Sequence, residues 1–66
     1  MLFKLFTVYD VVSEVYMQPF CAVTKGSAIR MFAAHVNDPS HPFGKDPKDY
    51  ILFELGEYED SNASFK

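Results

Sequence analysis

The stretch Leu-Phe-Lys-Leu-Phe-Thr-Val-Tyr at residues 2–9 is a strand-forming run that is apolar at both parities. Aromatic and β-branched residues favour extended backbone. Successive side chains of a strand point to opposite faces, so Leu2, Lys4, Phe6 and Val8 share one face and Phe3, Leu5, Thr7 and Tyr9 the other. A strand with one solvated face alternates apolar and polar residues, whereas a strand like this one is covered on both sides. The chain has 66 residues with which to provide that cover. It is one domain, and a domain of this size buries only about 60% of the surface its unfolded form exposes.

Small domains commonly add a disulfide, a metal or a partner chain to a core of this size. Cys21 is the only cysteine, so no internal disulfide can form. A zinc-type site needs three or four ligands at short recurring spacings, and His35, His41 and Asp38 with an isolated Cys21 do not supply them. No metal and no cofactor is expected. A second copy of the chain remains, and a homodimer or larger homo-oligomer is the expectation. Apolar residues at 48% and aromatic residues at 17% agree, being more than so small an interior can hold.

The rest of the chain reads as one further strand, a helix and a last strand. Asp10–Ser13 is a turn, and a second strand runs through about Glu14–Val23, with Pro19 marking an edge or a bulge. Ile29, Phe32, Ala33 and Val36 recur at helical spacing within Ser27–Val36, Thr24 is the N-cap, and Asn37-Asp38-Pro39 ends the helix. Residues 37–49 are a proline-rich connection in which Asp46-Pro47-Lys48-Asp49 can make one helical turn. Tyr50–Tyr58 is the third strand, with Ile51, Phe53 and Leu55 on its core face. The expected fold is α+β: a small antiparallel or mixed three-stranded sheet with one helix packed on one face, in the order ββαβ. Residues 1–58 form the single domain, and residues 59–66 form a polar C-terminal tail that frays or begins a further hairpin arm.

Charge narrows the function. The net charge is −3, but it is polarised. Lys4, Lys25 and Arg30 outnumber Asp10 and Glu14 in residues 1–36, while Lys45, Lys48 and Lys66 face seven carboxylates in residues 37–66. Nucleic-acid binding ordinarily leaves a basic footprint, so any such contact belongs to the N-terminal half. No stretch approaches the roughly 18 continuous apolar residues of a membrane span. Met1–Tyr9 also lacks the pattern of a signal peptide, so a soluble, intracellular protein without a membrane partner is expected.

Four residues are candidates for contact with single-stranded nucleic acid. Lys25 lies in Thr24-Lys25-Gly26-Ser27 at the helix start, where free N–H groups and the helix dipole favour a phosphate, and Arg30 follows along the helix. Tyr16 and Phe20 flank Pro19 on the edge strand, where aromatic rings can stack on bases. Each has a plainer reading: Lys25 and Arg30 as solvated side chains, Tyr16 and Phe20 as core or subunit seam. Cys21 beside His35 would be a nucleophile–base pair only if the fold joined them, and a lone cysteine between Phe20 and Ala22 is more often a small buried hydrophobe. Glu54, Glu57, Glu59 and Asp60 form a solvated acidic run or a dock for a basic protein. No activated nucleophile, cofactor loop or catalytic pair stands out, so the chain is not expected to be an enzyme.

Several short stretches, taken together and in order, carry a family resemblance. They are Val8-Tyr9-Asp10, Tyr16-Met17-Gln18-Pro19-Phe20, Thr24 through Phe32, Val36-Asn37-Asp38-Pro39, Pro42-Phe43 and Pro47 through Gly56. This pattern resembles the small nonstructural protein of gokushovirus-type microviruses, single-stranded DNA phages, over residues 2–58. Members of that family often continue for a further strand, so Lys66 is read either as the end of a short member or as a trimmed one. The resemblance implies a protein made in the cytoplasm of the infected bacterium and absent from the virion. It further implies a role in viral genome replication or packaging, by analogy with a small replication-to-packaging switch protein of related phages. Single-stranded DNA and phage replication or capsid proteins are the implied partners. The alternative is an adaptor or regulator that docks on those proteins through its acidic end without nucleic-acid affinity.

Overall fold

A computed structural model describes all residues, Met1–Lys66. Its centre is β1 (Leu2–Asp10), which pairs antiparallel on one side with β2 (Val15–Tyr16) and β3 (Phe20–Ala22) and on the other with β4 (Tyr50–Glu59). The β1–β4 ladder runs the whole length of β1, from Leu2 opposite Glu59 to Asp10 opposite Tyr50. Between Leu5 and Phe6 the register shifts, because Gly56 faces Leu5 and Glu54 faces Phe6, which leaves Leu55 as the extra residue of a β-bulge. A last strand, β5 (Ser64–Phe65), folds back on Tyr58 and Glu59. The polar stretch 59–66 is therefore hairpin. Gly56 belongs to this closure, since the Lys66 carbonyl occupies the space a Cβ there would need.

The turn after β1 is held by Asp10. Its carboxylate accepts from the N–H groups of Val12 at 3.0 Å and Ser13 at 3.2 Å, and its carbonyl from Glu14 N–H at 2.8 Å. Glu14 takes the left-handed conformation that closes the turn, with φ at 59°. The expected second strand is split. Met17 N–H still donates to the Val8 carbonyl, but Met17–Pro19 leave the ladder, and Thr7 Oγ1 donates to the Met17 carbonyl at 2.7 Å across the gap. Proline has no N–H for a ladder, so the break falls beside Pro19 on an outer strand. The sheet consequently has five strand segments where three were expected, all antiparallel, in the order β2-β1-β4-β5 with β3 also on β1.

Helix α1 (Lys25–Val36) begins at Thr24, whose hydroxyl oxygen accepts from Ser27 N–H at 3.0 Å. It ends at Asn37, before Pro39, as the sequence dictates. Ala28 is its contact point with the sheet, fully buried beside Phe6 and Ala22 with Phe20 and Leu52 packed around them. A methyl side chain there lets the helix lie close to the strands. Ile29, expected on the core face, is instead half exposed over the cleft between α1 and β4. A short helix, α2 (Pro42–Lys45), has no counterpart in the sequence reading; His41 Nδ1 accepts from Phe43 N–H at 3.1 Å and caps it. Its Phe43 stacks near Tyr50 and Phe32, closing the end of the helix-side layer. A single 3₁₀ turn at Pro47–Asp49 then leads into β4.

The phase of β4 is opposite to that expected. Leu52, paired with Val8, lies under the helix, while Ile51 and Phe53, paired with Tyr9 and Thr7, turn to the side that no helix covers. Cys21, expected to be buried, pairs with Leu5 on that same side and is exposed. No helix of the chain is long and apolar enough to cross a membrane.

Two measurements check this packing. Ala28→Leu overfills the contact and lowers stability by about 1–3 kcal/mol, and Thr24→Ala removes the cap at about 1 kcal/mol, both read as urea-midpoint shifts. The Asp10 carboxylate is held below the usual carboxylate range by the Ser13 and Val12 N–H donors. A depressed carboxyl favours the fold above the unfolded-state value of about 4 and loses that contribution as pH falls through the folded one. NMR titration places the Asp10 midpoint below that of an ordinary aspartate, and Asp10→Asn flattens the acid limb of the stability curve.

Candidate interaction surfaces

The register of β1 with β4 sorts charge as well as apolar residues. Lys4, Asp10, Glu54, Glu57 and Glu59 are the charged residues of the two strands, and all fall on the helix-side face: Lys4 opposite Glu57, Phe6 opposite Glu54, Leu2 opposite Glu59, Asp10 opposite Tyr50. The other face receives Phe3, Leu5, Thr7 and Tyr9 from β1, and Ile51, Phe53 and Tyr58 from β4. No charged residue has its register position there, and no helix covers it.

Aromatic rings cluster on this open face. Tyr16 sits opposite Tyr9 with ring centroids 4.6 Å apart, and Phe53 approaches both edge-on at 6.4 and 5.9 Å. Tyr16 is 62% exposed, Phe53 40% and the bulged Leu55 50%, large values for apolar side chains in contact with one another. Thr7 is buried at the floor of a groove of about 360 Å³ walled by Tyr16, Met17, Pro19, Phe53 and Leu55, with Glu54 reaching its margin. The break at Pro19 makes the groove, because the edge strand bends away there. Of this surface the sequence reading singled out Tyr16; Phe53 was hidden by the phase assigned to β4.

The four DNA-contact candidates do not converge. Tyr16 is on the open face. Phe20, paired with Phe6 and stacked on it at 5.9 Å, is half-buried on the helix side, away from Tyr16. Lys25 begins α1 and lines a cleft that also contains Glu54, so the expected phosphate site looks onto a carboxylate. Arg30 is exposed on α1, on the helix side of the sheet. Cations and the exposed aromatic ring thus lie on opposite sides of a sheet.

The acidic run is partly neutralised from within. Lys4 Nζ lies 3.7 Å from Glu54 and 4.0 Å from Glu57, and the Met1 ammonium lies 2.6 Å from both Glu59 and Asp60. Those two carboxylates raise the Met1 amino group's affinity for its proton. Exposed pairs of this kind add about 0–1 kcal/mol each, so their main effect is to remove free charge from the rim.

A second depression, about 310 Å³, lies on the helix side between Met17, Phe20, Met31, Phe32, His35 and His41. The His35 and His41 rings stack at 4.3 Å, with His41 Nδ1 already occupied by the α2 cap. Asp38 accepts instead from Ser40 N–H and Oγ–H, which hold its carboxyl below the usual range. No group of three His, Cys, Asp or Glu side chains is placed to hold a metal ion. Cys21 and His35 are separated by the sheet and form no pair.

Residues 3–66 match the family described as Phage ORF5 protein. The chain belongs to that family. No curated protein and no solved structure matches it.

The placement of Cys21 has a direct check. In dilute native protein its thiol reacts with a disulfide reagent at a rate close to that of the unfolded chain, whereas a buried thiol would react orders of magnitude more slowly.

Proposed function

We propose that this Phage ORF5 family protein is a nonenzymatic accessory protein that acts on phage genome replication or packaging by binding proteins. The observation that supports it is the sorting of side chains on β1 and β4. Five charged residues share the helix-side face, and the opposite face is apolar, aromatic and open. Uncharged aromatic surface flanked by a groove is the composition of a protein-contact centre, where charged residues are depleted and tyrosine and phenylalanine enriched. An apolar surface of this extent on a lone soluble chain marks an interaction site.

The workplace implied by the family resemblance is the cytoplasm of an infected bacterium, with the protein left out of the virion. The microvirus assignment belongs to this same proposal. The partners of the adaptor reading are phage replication or capsid proteins, and it needs no cofactor.

A second reading has one feature in its favour: the Tyr9–Tyr16–Phe53 cluster could serve as a stacking platform for single-stranded DNA. Against it, phosphate contacts supply most of the affinity for nucleic acid, and Lys25 and Arg30 stand on the other side of the sheet, Lys25 in a cleft shared with Glu54.

One pair of measurements separates the two. Labelled single-stranded DNA should show no anisotropy rise with the full chain even at low salt. Phage replication or capsid proteins should be recovered with it from infected cells after nuclease treatment. Binding whose log–log salt slope shrinks in Lys25→Ala, with recovery abolished by nuclease, would replace the adaptor reading with the DNA-binding one.

A further inference from the structure

We propose that the occupant of the open sheet face is a second copy of the same chain, packed sheet against sheet with both helices outside. This deepens the reading of that face as a protein-contact surface and rests on it. Four observations point to a second copy. First, no charged residue of β1 or β4 has its register position on this face, with Glu54 only at the margin of the groove, while the chain as a whole carries −3. Two copies meeting through it bring few like charges together, and a two-fold interface must tolerate its own surface. A nucleic acid would find no cation there, and a partner chosen by charge would find nothing to read.

Second, the isolated chain is too open for its length. Only 5 of 66 residues are buried, and the Cα radius of gyration is 12.8 Å, against about 10.8 Å for a compact chain of this size. Its Cα extents are 39 × 22 × 14 Å, the slab left when a helix layer and a sheet layer lack a third. Third, the area is of the right order. The two long strands are about 30 Å long, and with the short segments β2, β3 and β5 along their outer edges the sheet is about three strands, or about 14 Å, wide. Each copy would therefore cover roughly 420 Å² of flat projection, to which side-chain relief adds, and the pair approaches the about 1,000 Å² at the low end of specific interfaces. Fourth, the surface has relief. The groove over Thr7 can receive a side chain from the facing sheet, while Leu55 and Tyr16 stand up beside it. Two antiparallel sheets packed in this way lie about 10 Å apart with their strands within about 30° of each other.

The test is the mass of the full chain in solution. Sedimentation equilibrium at micromolar concentration should give twice 7.5 kDa. Phe53→Lys places an unpaired charge at the centre of the seam and should weaken self-association roughly 100-fold, with the far-UV spectrum retained. Val12→Lys, in the exposed turn, should leave the mass unchanged. A readout that needs no variant is Cys21, which lies on the same face: its labelling should slow as protein concentration rises. A monomer mass for the wild-type chain overturns the proposal. So does a dimer that survives Phe53→Lys, which would place the seam elsewhere, for instance along the unpaired outer edge of β4. A monomer that still captures a phage protein through this face would overturn the dimer and leave the proposed function standing. A dimer that binds single-stranded DNA would do the reverse.

Discussion

The pairing of β1 with β4 decides nearly everything else about this molecule. It joins residues 40 to 57 positions apart, from Asp10 with Tyr50 to Leu2 with Glu59, and its register fixes which side chains meet the helix. Had β4 slipped by one residue, Leu52 would leave the core and Glu54 would turn to the open side. The bulge at Leu55 keeps the two halves of the ladder in step, so that Glu54 and Glu57 both stay on the face of Lys4. Helix α1 needs that face to be apolar only around Phe6 and Ala22, where Ala28 touches down. Beyond the helix the same face is free to hold charge, and there Lys4 and the carboxylates collect.

The consequence is an inversion of the usual two-layer α+β arrangement. Ordinarily the sheet face opposite the helix is the solvated, charged one. Here the charges lie at the margins of the helix side, and the exposed face is occupied by Tyr9, Tyr16 and Phe53 in mutual contact. A surface of that composition has a strong drive to leave water and little means of holding phosphate. That is the basis for proposing contact between protein chains, and a self-complementary one, in preference to contact with nucleic acid.

Much of this was legible in the sequence because β1 is apolar at both parities, and no pattern within one strand can hide that. The helix was equally legible from Thr24 at its start and Asn37-Asp38-Pro39 at its end, both local devices. The phase of β4 was not. Tyr50 and Leu52 at one parity and Ile51, Phe53 and Leu55 at the other are about equally apolar, so only the non-local pairing with β1 and the bulge decide between them. Choosing the longer apolar series put Phe53 in the core and left the aromatic cluster unseen. The same error of reach affected Cys21, whose apolar neighbours Phe20 and Ala22 share a parity that it does not. Helix α2 was missed because its cap is a histidine, outside the Ser, Thr, Asp and Asn set that marks most helix starts. The DNA-contact candidates were residue types suited to the task, but chemistry of type does not bring side chains to one surface, and the sheet divides them.

The central claim is that the uncharged sheet face does not meet water in the working protein. Hydroxyl-radical footprinting of the full chain at micromolar concentration measures this at the residues concerned. Tyr16 and Phe53 should be protected, well below the reactivity that 62% and 40% exposure in a single chain would give, and dilution or Phe53→Lys should restore Tyr16. Tyr16 and Phe53 oxidised at the full rate of exposed rings, independent of concentration, would contradict the account.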